Sequence, residues 1–520
     1  MMKKRYLLAV SVATVVCACL GACGNSSEIE ETQQAAENAG DEEAVTIVSL
    51  NINNNLDKES EQRDKIHQII MDETGVDLQL VMIPSDQLAT QANLMLAGKE
   101  QLDIIPCIGM TDAQNLKNSG AVRMITQEEL DQYPYLRDSF PKESWDAVRM
   151  GDEYLGIPFV GAQTIPALVA VRNDWVDQLG ETMPETLEEY EALLKQFKES
   201  DLDGNGQDDT IPLIADTVDE LEQAFLPFFT QTGAYWYFDE EEQLLKPYEM
   251  DEGYPEFLET MRRWIDEGYL FDQIATTSKQ DKLSYVAQNK VGSTAGTWTR
   301  FLYSGIEVLA QTYPDIRYEF VTPKGSDHAA NKYTSSQFAK GVTLITSTCE
   351  HPEKALEYLN YQCSPEGQTI TTYGIEGENY TVDPETGKYQ IISDSPTDWT
   401  TAQYYILYNL HEGFGEWRTD LWPLDTYTYN LMNEMNEELK AMDTVTPPDS
   451  ITPYDVSKYE AQRSMNDLAT LLSEAKGKIF AGTMSVDEWP NVMEQWKEIG
   501  GNQLIQDKTT QFLENQNSSK

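Results

Sequence analysis

Histidine is scarce in this chain of 520 residues, with four in all, which leaves few candidates for acid-base or metal chemistry. Basic side chains are scarce as well: 37 Lys and Arg stand against 88 Asp and Glu, a formal charge of −51. A surface of that sign repels phosphate backbones and anionic lipid and so disfavours nucleic-acid binding, although solubility alone explains it. Six cysteines are too few for a disulfide framework, since Cys17 and Cys19 fall in an N-terminal apolar run. Cys349 and Cys363 could bridge, and spacing alone leaves this open. There is no Gly-x-Ser-x-Gly elbow, no His-Glu-x-x-His zinc helix and no Walker loop; His411-Glu412 lacks the second histidine. Past Leu20 no apolar stretch is long enough for a membrane helix.

What is present begins with Lys3, Lys4 and Arg5 ahead of the apolar run Tyr6 to Leu20. That run is too short for a permanent span and reads as a signal peptide, residues 1–22. Leu20-Gly21-Ala22-Cys23 resembles the bacterial lipobox, so Cys23 is expected to become the first mature residue and to carry a diacylglycerol. Two acyl chains suffice for lasting attachment. The expected location is the outer face of the cytoplasmic membrane, reached through the lipid alone. Residues 23–43 hold almost no large apolar side chain and are expected to form a disordered spacer.

From residue 44 the pattern is that of an α/β protein. Val45–Leu50, Val76–Ile83 and Asp103–Ile105 read as strands separated by helical stretches, the alternation of a parallel sheet. Ligands of such sheets sit at the strands' carboxyl ends, which makes Asn51 either a contact or a turn residue. The length after the spacer calls for at least two lobes. We expect residues 44–160 in the first, 161–340 in the second, and 341–520 as a return to the first followed by C-terminal helices. Thr186 and Glu189 predict a capping box for a helix to about Lys198, with Leu187, Tyr190, Leu194 and Phe197 facing the core. Ser485 and Glu488 predict another, ahead of Trp489, Val492, Trp496 and Ile499, with Gly500 as the stop. Trp489 and Trp496 are therefore core. Tyr and Trp, 27 and 10 residues, are otherwise plentiful, and their faces suit sugar rings.

The segment with recognisable chemistry is Asp201-Leu202-Asp203-Gly204-Asn205-Gly206-Gln207-Asp208-Asp209. Oxygen-bearing side chains fall at loop positions 1, 3, 5 and 9, a carbonyl at position 7 and glycine at position 6, the offsets of a calcium loop. Asp201, Asp203, Asn205, Gln207 and Asp209 are thus the candidate ligands of a structural Ca²⁺. Pro212 stands where an EF-hand has its bidentate Glu, so the loop is a half site. An acidic turn without an ion is the alternative.

Arg172 to Gly180, Met183 to Thr186 and the Asp201 loop running into Ile211-Pro212-Leu213 resemble the family 1 extracellular solute-binding proteins of bacterial ABC importers, in the large lipoprotein branch with the alginate-binding proteins. Tyr154 to Pro158, Val286 to Gly292, Pro352 to Leu356 and Tyr373 to Tyr380 add to the likeness. The resemblance implies two α/β lobes that close on a ligand in the cleft between them, without catalysis. It implies a monomer that hands an oligosaccharide to ABC permease subunits, and a bound Ca²⁺ for which Thr210 replaces one acid. It also implies that the Gly296-Thr297-Trp298 and Gly413 to Trp417 segments face the cleft. Trp298 and Trp417, each in a glycine-flanked context, are the first ligand candidates; Tyr235, Trp236, Gln163 and Arg300 follow. A peptide-binding or sensor-presenting lipoprotein, or a secreted glycoside hydrolase with two carboxylates across a cleft, are the competing classes.

Overall fold

Val45, Ile47 and Ser49 share one face of the first strand, Val45–Asn51, which lies parallel to Val76–Met82 with Val45 opposite Val76 and Asn51 opposite Met82. A computed structural model describes residues 44–518 apart from 52–60, 85–86, 160–164, 166, 216, 275, 297–305, 315, 336–338, 340, 386, 388, 393–426 and 450–453. Ile104–Gly109 pairs on the other side of the first strand, so the expected strand at Asp103 runs four residues beyond Ile105. Gly341–Thr346 then joins antiparallel to Ile104–Gly109, and Val122–Arg123 and Ile157–Phe159 pair with it in turn. Gly156 is required here, because a Cβ would collide with the Thr343 carbonyl.

A second sheet is built from Leu168–Arg172, Ile211–Ala215, Val291–Gly296 and Tyr318–Val321, with Leu168–Arg172 and Val291–Gly296 at its centre. Both central strands are buried along their length, as strands covered on two faces must be. Thr186 caps helix Leu187–Glu199: its hydroxyl accepts from the Glu189 N–H at 3.2 Å, and the Glu189 carboxylate accepts from the Thr186 N–H. Tyr190, Leu193, Leu194 and Phe197 are buried from that helix, while Leu187 is only partly covered.

Each sheet has its own hydrophobic core. One gathers residues between Ile47 and Ile157 and between Ala339 and Ile370. The other gathers residues from Ile165 to Tyr333 and from Leu431 to Ile505. The stretch after 341 is thus divided. Strand Gly341–Thr346 and helix Pro352–Cys363 belong to the first core, and the helices from Tyr427 onward pack on the second. The chain crosses between cores after Phe159, after Tyr333 and after Ile375. Tyr333 pins the second crossing: it accepts from the Val169 N–H at 2.9 Å and donates to the Val321 carbonyl at 2.6 Å.

Trp489 and Trp496 are each 2% exposed, as their spacing requires. Gly500 bends the chain instead of ending it; with φ of 140° it kinks the backbone, and helix Asn502–Ser518 follows. Cys107, Cys349 and Cys363 are free and buried. Helix Pro352–Cys363, about 18 Å long, separates Cys349 from Cys363 and prevents their pairing. Among the described residues no helix is long and apolar enough to cross a membrane.

A buried ion cluster attaches the C-terminal helices to the second core. Lys476 reaches Glu222 at 3.0 Å, the Tyr248 hydroxyl at 2.9 Å and Glu249 at 3.2 Å, and the Tyr254 hydroxyl donates to Glu222 at 2.7 Å. Burial opposes the ammonium charge, but Glu249 and Glu222 outweigh it and raise the lysine pKa. Replacing Lys476 with Met leaves two carboxylates buried against each other. We expect a loss of roughly 3–5 kcal/mol in denaturant unfolding; a loss below about 1 kcal/mol, the scale of an exposed pair, would show that the cluster does not hold the helices.

Glu438, on helix Tyr427–Ala441, is pushed up to about 7 by burial and by the charge of Glu319. The Phe320 N–H opposes the shift. The folded chain therefore takes up this proton before the unfolded one, whose carboxyl titrates near 4.5. Stability attributable to Glu438 rises as pH falls from about 7 toward 4.5 and is lost above 7. Glu438→Gln should flatten that slope and, after discounting solvent screening, add about 1 kcal/mol at pH 8. Urea titrations at pH 5 and pH 8 that show the parent slope in the variant would refute the assignment.

Candidate functional site

Parallel strands Val45–Asn51 and Val76–Met82 end level with each other while Ile104–Gly109 runs on past them, and ligands of such sheets gather beyond the carboxyl ends. Asn51 is the last residue of its strand and 4% exposed, and its carbonyl accepts from the Ile83 N–H at 2.9 Å. It is therefore a strand-end residue rather than part of a turn. Nearby, Cys107 has φ of 53°, and the register against Gly341–Thr346 shifts between Val342 and Leu344. The Thr343 hydroxyl takes the Cys107 N–H at 3.1 Å. This bulge bends the strand end, and nothing in the local sequence announces it. Burial lifts the Cys107 thiol to about 12, so it is inert at neutral pH.

Tyr235 and Trp236 occupy the loop after Gly233, which is held where Thr232 donates to the Tyr235 carbonyl at 2.9 Å. Their environment comes from far along the chain. Lys508 places its ammonium 4.1 Å from the Trp236 ring centre and 4.6 Å from that of Tyr454, and pairs with Asp449 at 3.1 Å. Burial lowers the Lys508 pKa against the pull of Asp449. Burial also lifts Tyr235 to about 12, helped by the Asp449 charge. One face of Trp236 is thus given to an internal cation and is closed to a stacked ring. Sequence reasoning missed Lys508, Asp449 and Tyr454, because more than two hundred residues separate them from Trp236.

The acidic loop is exposed and folds on its own polar groups. Gly204 and Gly206 take φ of 70° and 74°, which lets the chain turn twice. Asp201 accepts from the Gly206 N–H at 3.0 Å, and Asp203 accepts from the Asn205 N–H at 3.2 Å. The Asn205 side-chain amide donates to Asp203 at 2.7 Å and to Asp209 at 2.9 Å, and its oxygen accepts from the Gln207 N–H at 2.7 Å. Lys290 takes the second Asp209 oxygen at 2.7 Å. Desolvation and the neighbouring charges of Asp201 and Asp209 raise the Asp203 pKa, while the Lys290 bond lowers that of Asp209. The donor chemistry is that of a hard cation, but in this arrangement an amide nitrogen and an ammonium stand where a cation's charge would. Among the described residues no group of three or more His, Cys, Asp or Glu is arranged to hold a metal ion. Cys23, Gln163, Trp298, Arg300 and Trp417 lie outside the described residues.

The architecture matches a known one. A crystal structure of the alginate-binding protein AlgQ2 without calcium ion superposes with a TM-score of 0.67 at 20% identity, covering 91% of this chain and 98% of that one. Lipoprotein LipO of Bacillus subtilis (strain 168) is 23% identical over 452 residues, 84% of this chain and 86% of LipO. The polygalacturonan/rhamnogalacturonan-binding protein YtcQ of the same organism is 25% identical over 358 residues, 66% of this chain and 67% of its own length. Residues 65–377 match the model of the bacterial extracellular solute-binding proteins, and with more than half of its length so matched the chain belongs to that family.

Proposed function

We propose that this protein captures an oligosaccharide outside the cell and delivers it to an ABC-type importer, acting as a binding protein and not as an enzyme. The observation that carries the reading is the pairing of two cores, each with its own sheet, on one chain that crosses repeatedly between them. Such a body can change the angle between its halves without unfolding either. A ligand that contacts both halves then favours the closed form by its differential affinity. Likeness to a protein named for binding polygalacturonan supports a carbohydrate, as does the aromatic content. Trp298 and Trp417 remain our ligand platforms, with Gln163, Arg300 and Asn51 as polar partners. Tyr235 and Trp236 serve as a supporting wall, given the Lys508 ammonium on the tryptophan. Cys23 carries the diacylglycerol that keeps the protein at the membrane, and permease subunits receive the closed complex.

The acidic loop is proposed to bind Ca²⁺ as a structural ion. Turning the Asn205 amide over would present its oxygen, not its nitrogen, to Asp203 and Asp209, which is favourable only with a cation between them. The ion would supply that charge and pin the loop that joins helix Leu187–Glu199 to strand Ile211–Ala215.

Thermal unfolding of the mature chain tests both proposals. A saccharide at a hundred times its Kd should stabilise by about 2.7 kcal/mol, read as a rise in Tm. A rise with peptides alone would replace the ligand class, and release of shortened sugar would overturn the non-enzymatic reading. EDTA should lower Tm, and added Ca²⁺ should restore it in the parent but not in Asp201→Asn/Asp203→Asn; a parent Tm indifferent to EDTA would remove the ion.

A further inference from the structure

The scarcity of cations makes one groove conspicuous. It has a volume of about 310 Å³ and lies between two parts of the chain that share no core. Lys117 and Arg149 line it from the first-core side, and Lys458, Asp455, Gln511 and Glu514 from the C-terminal side. Three cations thus converge against two carboxylates, in a chain where acids outnumber bases by more than two to one.

None of the three is well paired. Lys458 is exposed, and its side chain makes no hydrogen bond or ion pair among the described residues. Lys117 stands 3.9 Å from Asp455, beyond hydrogen-bond reach, and Asp455 spends its other oxygen on the Ser457 N–H and hydroxyl. Arg149 donates one terminal nitrogen to the Tyr154 hydroxyl at 2.6 Å, while its Nε is buried without a hydrogen-bond partner and 3.9 Å from Asp146. Elsewhere the chain pairs such groups closely: Lys246 with Asp239 at 2.7 Å, Lys290 with Asp209 at 2.7 Å and Lys354 with Glu357 at 2.6 Å. The larger groove beside helix Tyr254–Asp266 shows the contrast, because its Arg262 and Arg263 are hydrogen-bonded to Asp266 and Glu191. The Arg149 side chain as a whole is 41% exposed, and an oxyanion in the groove would supply acceptors to it and to the two ammonium groups at once.

Asn51 is not among the residues that line this groove.

We propose that the groove is an anion site for a small tetrahedral oxyanion of the phosphate and sulfate class, held by Lys117, Arg149 and Lys458. By joining a helix of the first core to the C-terminal segment, the anion would brace the two against each other.

Isothermal titration of the mature chain with inorganic phosphate, at constant ionic strength set with chloride, tests the site. The parent should bind phosphate, and Lys458→Glu and Lys117→Glu, both at solvent-accessible positions, should weaken it by at least about tenfold each. Arg149→Lys, which keeps the charge but loses the fork, should weaken it as well. Thermal unfolding without phosphate establishes that each variant is folded, and saccharide binding by Lys458→Glu should equal that of the parent. Absence of phosphate binding to the parent would overturn the proposal, and so would binding left unchanged in folded Lys458→Glu and Lys117→Glu.

Discussion

The constraint on which the rest of the molecule depends is that its apolar surface gathers around two sheets rather than one. A chain of this length exceeds what one core serves, and once two cores exist every crossing between them becomes a mechanical part. Tyr333 shows how a crossing is fixed: a single buried hydroxyl takes the Val169 N–H and gives its proton to Val321, so the departing chain is sewn to the second sheet before it leaves. The next anchor is Gly341 on the first sheet, opposite Gly109 and Phe159.

In and around the second core the few cations serve as rivets. Arg172, 1% exposed, binds Asp174 through two nitrogens and Asn289 through a third, and lies over Trp175 at 4.3 Å. Lys476 and Lys508 do the same for the C-terminal helices, each with carboxylates and aromatic rings around it. Such clusters add little net stability over apolar packing, yet they tolerate no missing member. They fix which helix sits on which core in a way that apolar contacts alone do not specify.

Much of this was legible in the residues wherever the cause was local. The strand at Val45, the capping boxes at Thr186 and Ser485 and the burial of Trp489 and Trp496 follow from periodicity and side-chain chemistry within a dozen residues. Gly500 reads as the helix stop but is a kink, because whether the chain resumes a helix depends on the packing of Leu504 and Ile505. Trp236 illustrates the opposite limit. Its loop context suggested an open platform, and only the approach of Lys508 along a distant helix shows that one face is taken. The acidic loop lies between these cases: its oxygens were readable from spacing, whereas the turning of Asn205 toward Asp203 and Asp209 was not.

The acid surplus also explains the chemistry of the contacts that link the first core to the C-terminal segment. A chain with this charge has few ammonium groups to place there, and ion pairs at an exposed junction are weak and salt-sensitive. Amides carry the junction instead. Gln114, 1% exposed, donates to the Tyr454 carbonyl and accepts from the Val456 N–H at 2.9 Å, so that one side chain replaces a strand partner for that backbone. Gln511 does the same from the C-terminal helix, accepting from the Asp455 N–H at 2.8 Å and donating to its carbonyl at 3.3 Å. Gln462 meets Asn115 at 3.2 Å alongside. Neutral hydrogen bonds of this kind do not strengthen or fade with ionic strength, and they set a fixed distance between helix Met110–Asn118 and the segment it holds. Against that neutral seam, three under-paired cations in one groove are an exception to how this chain uses charge.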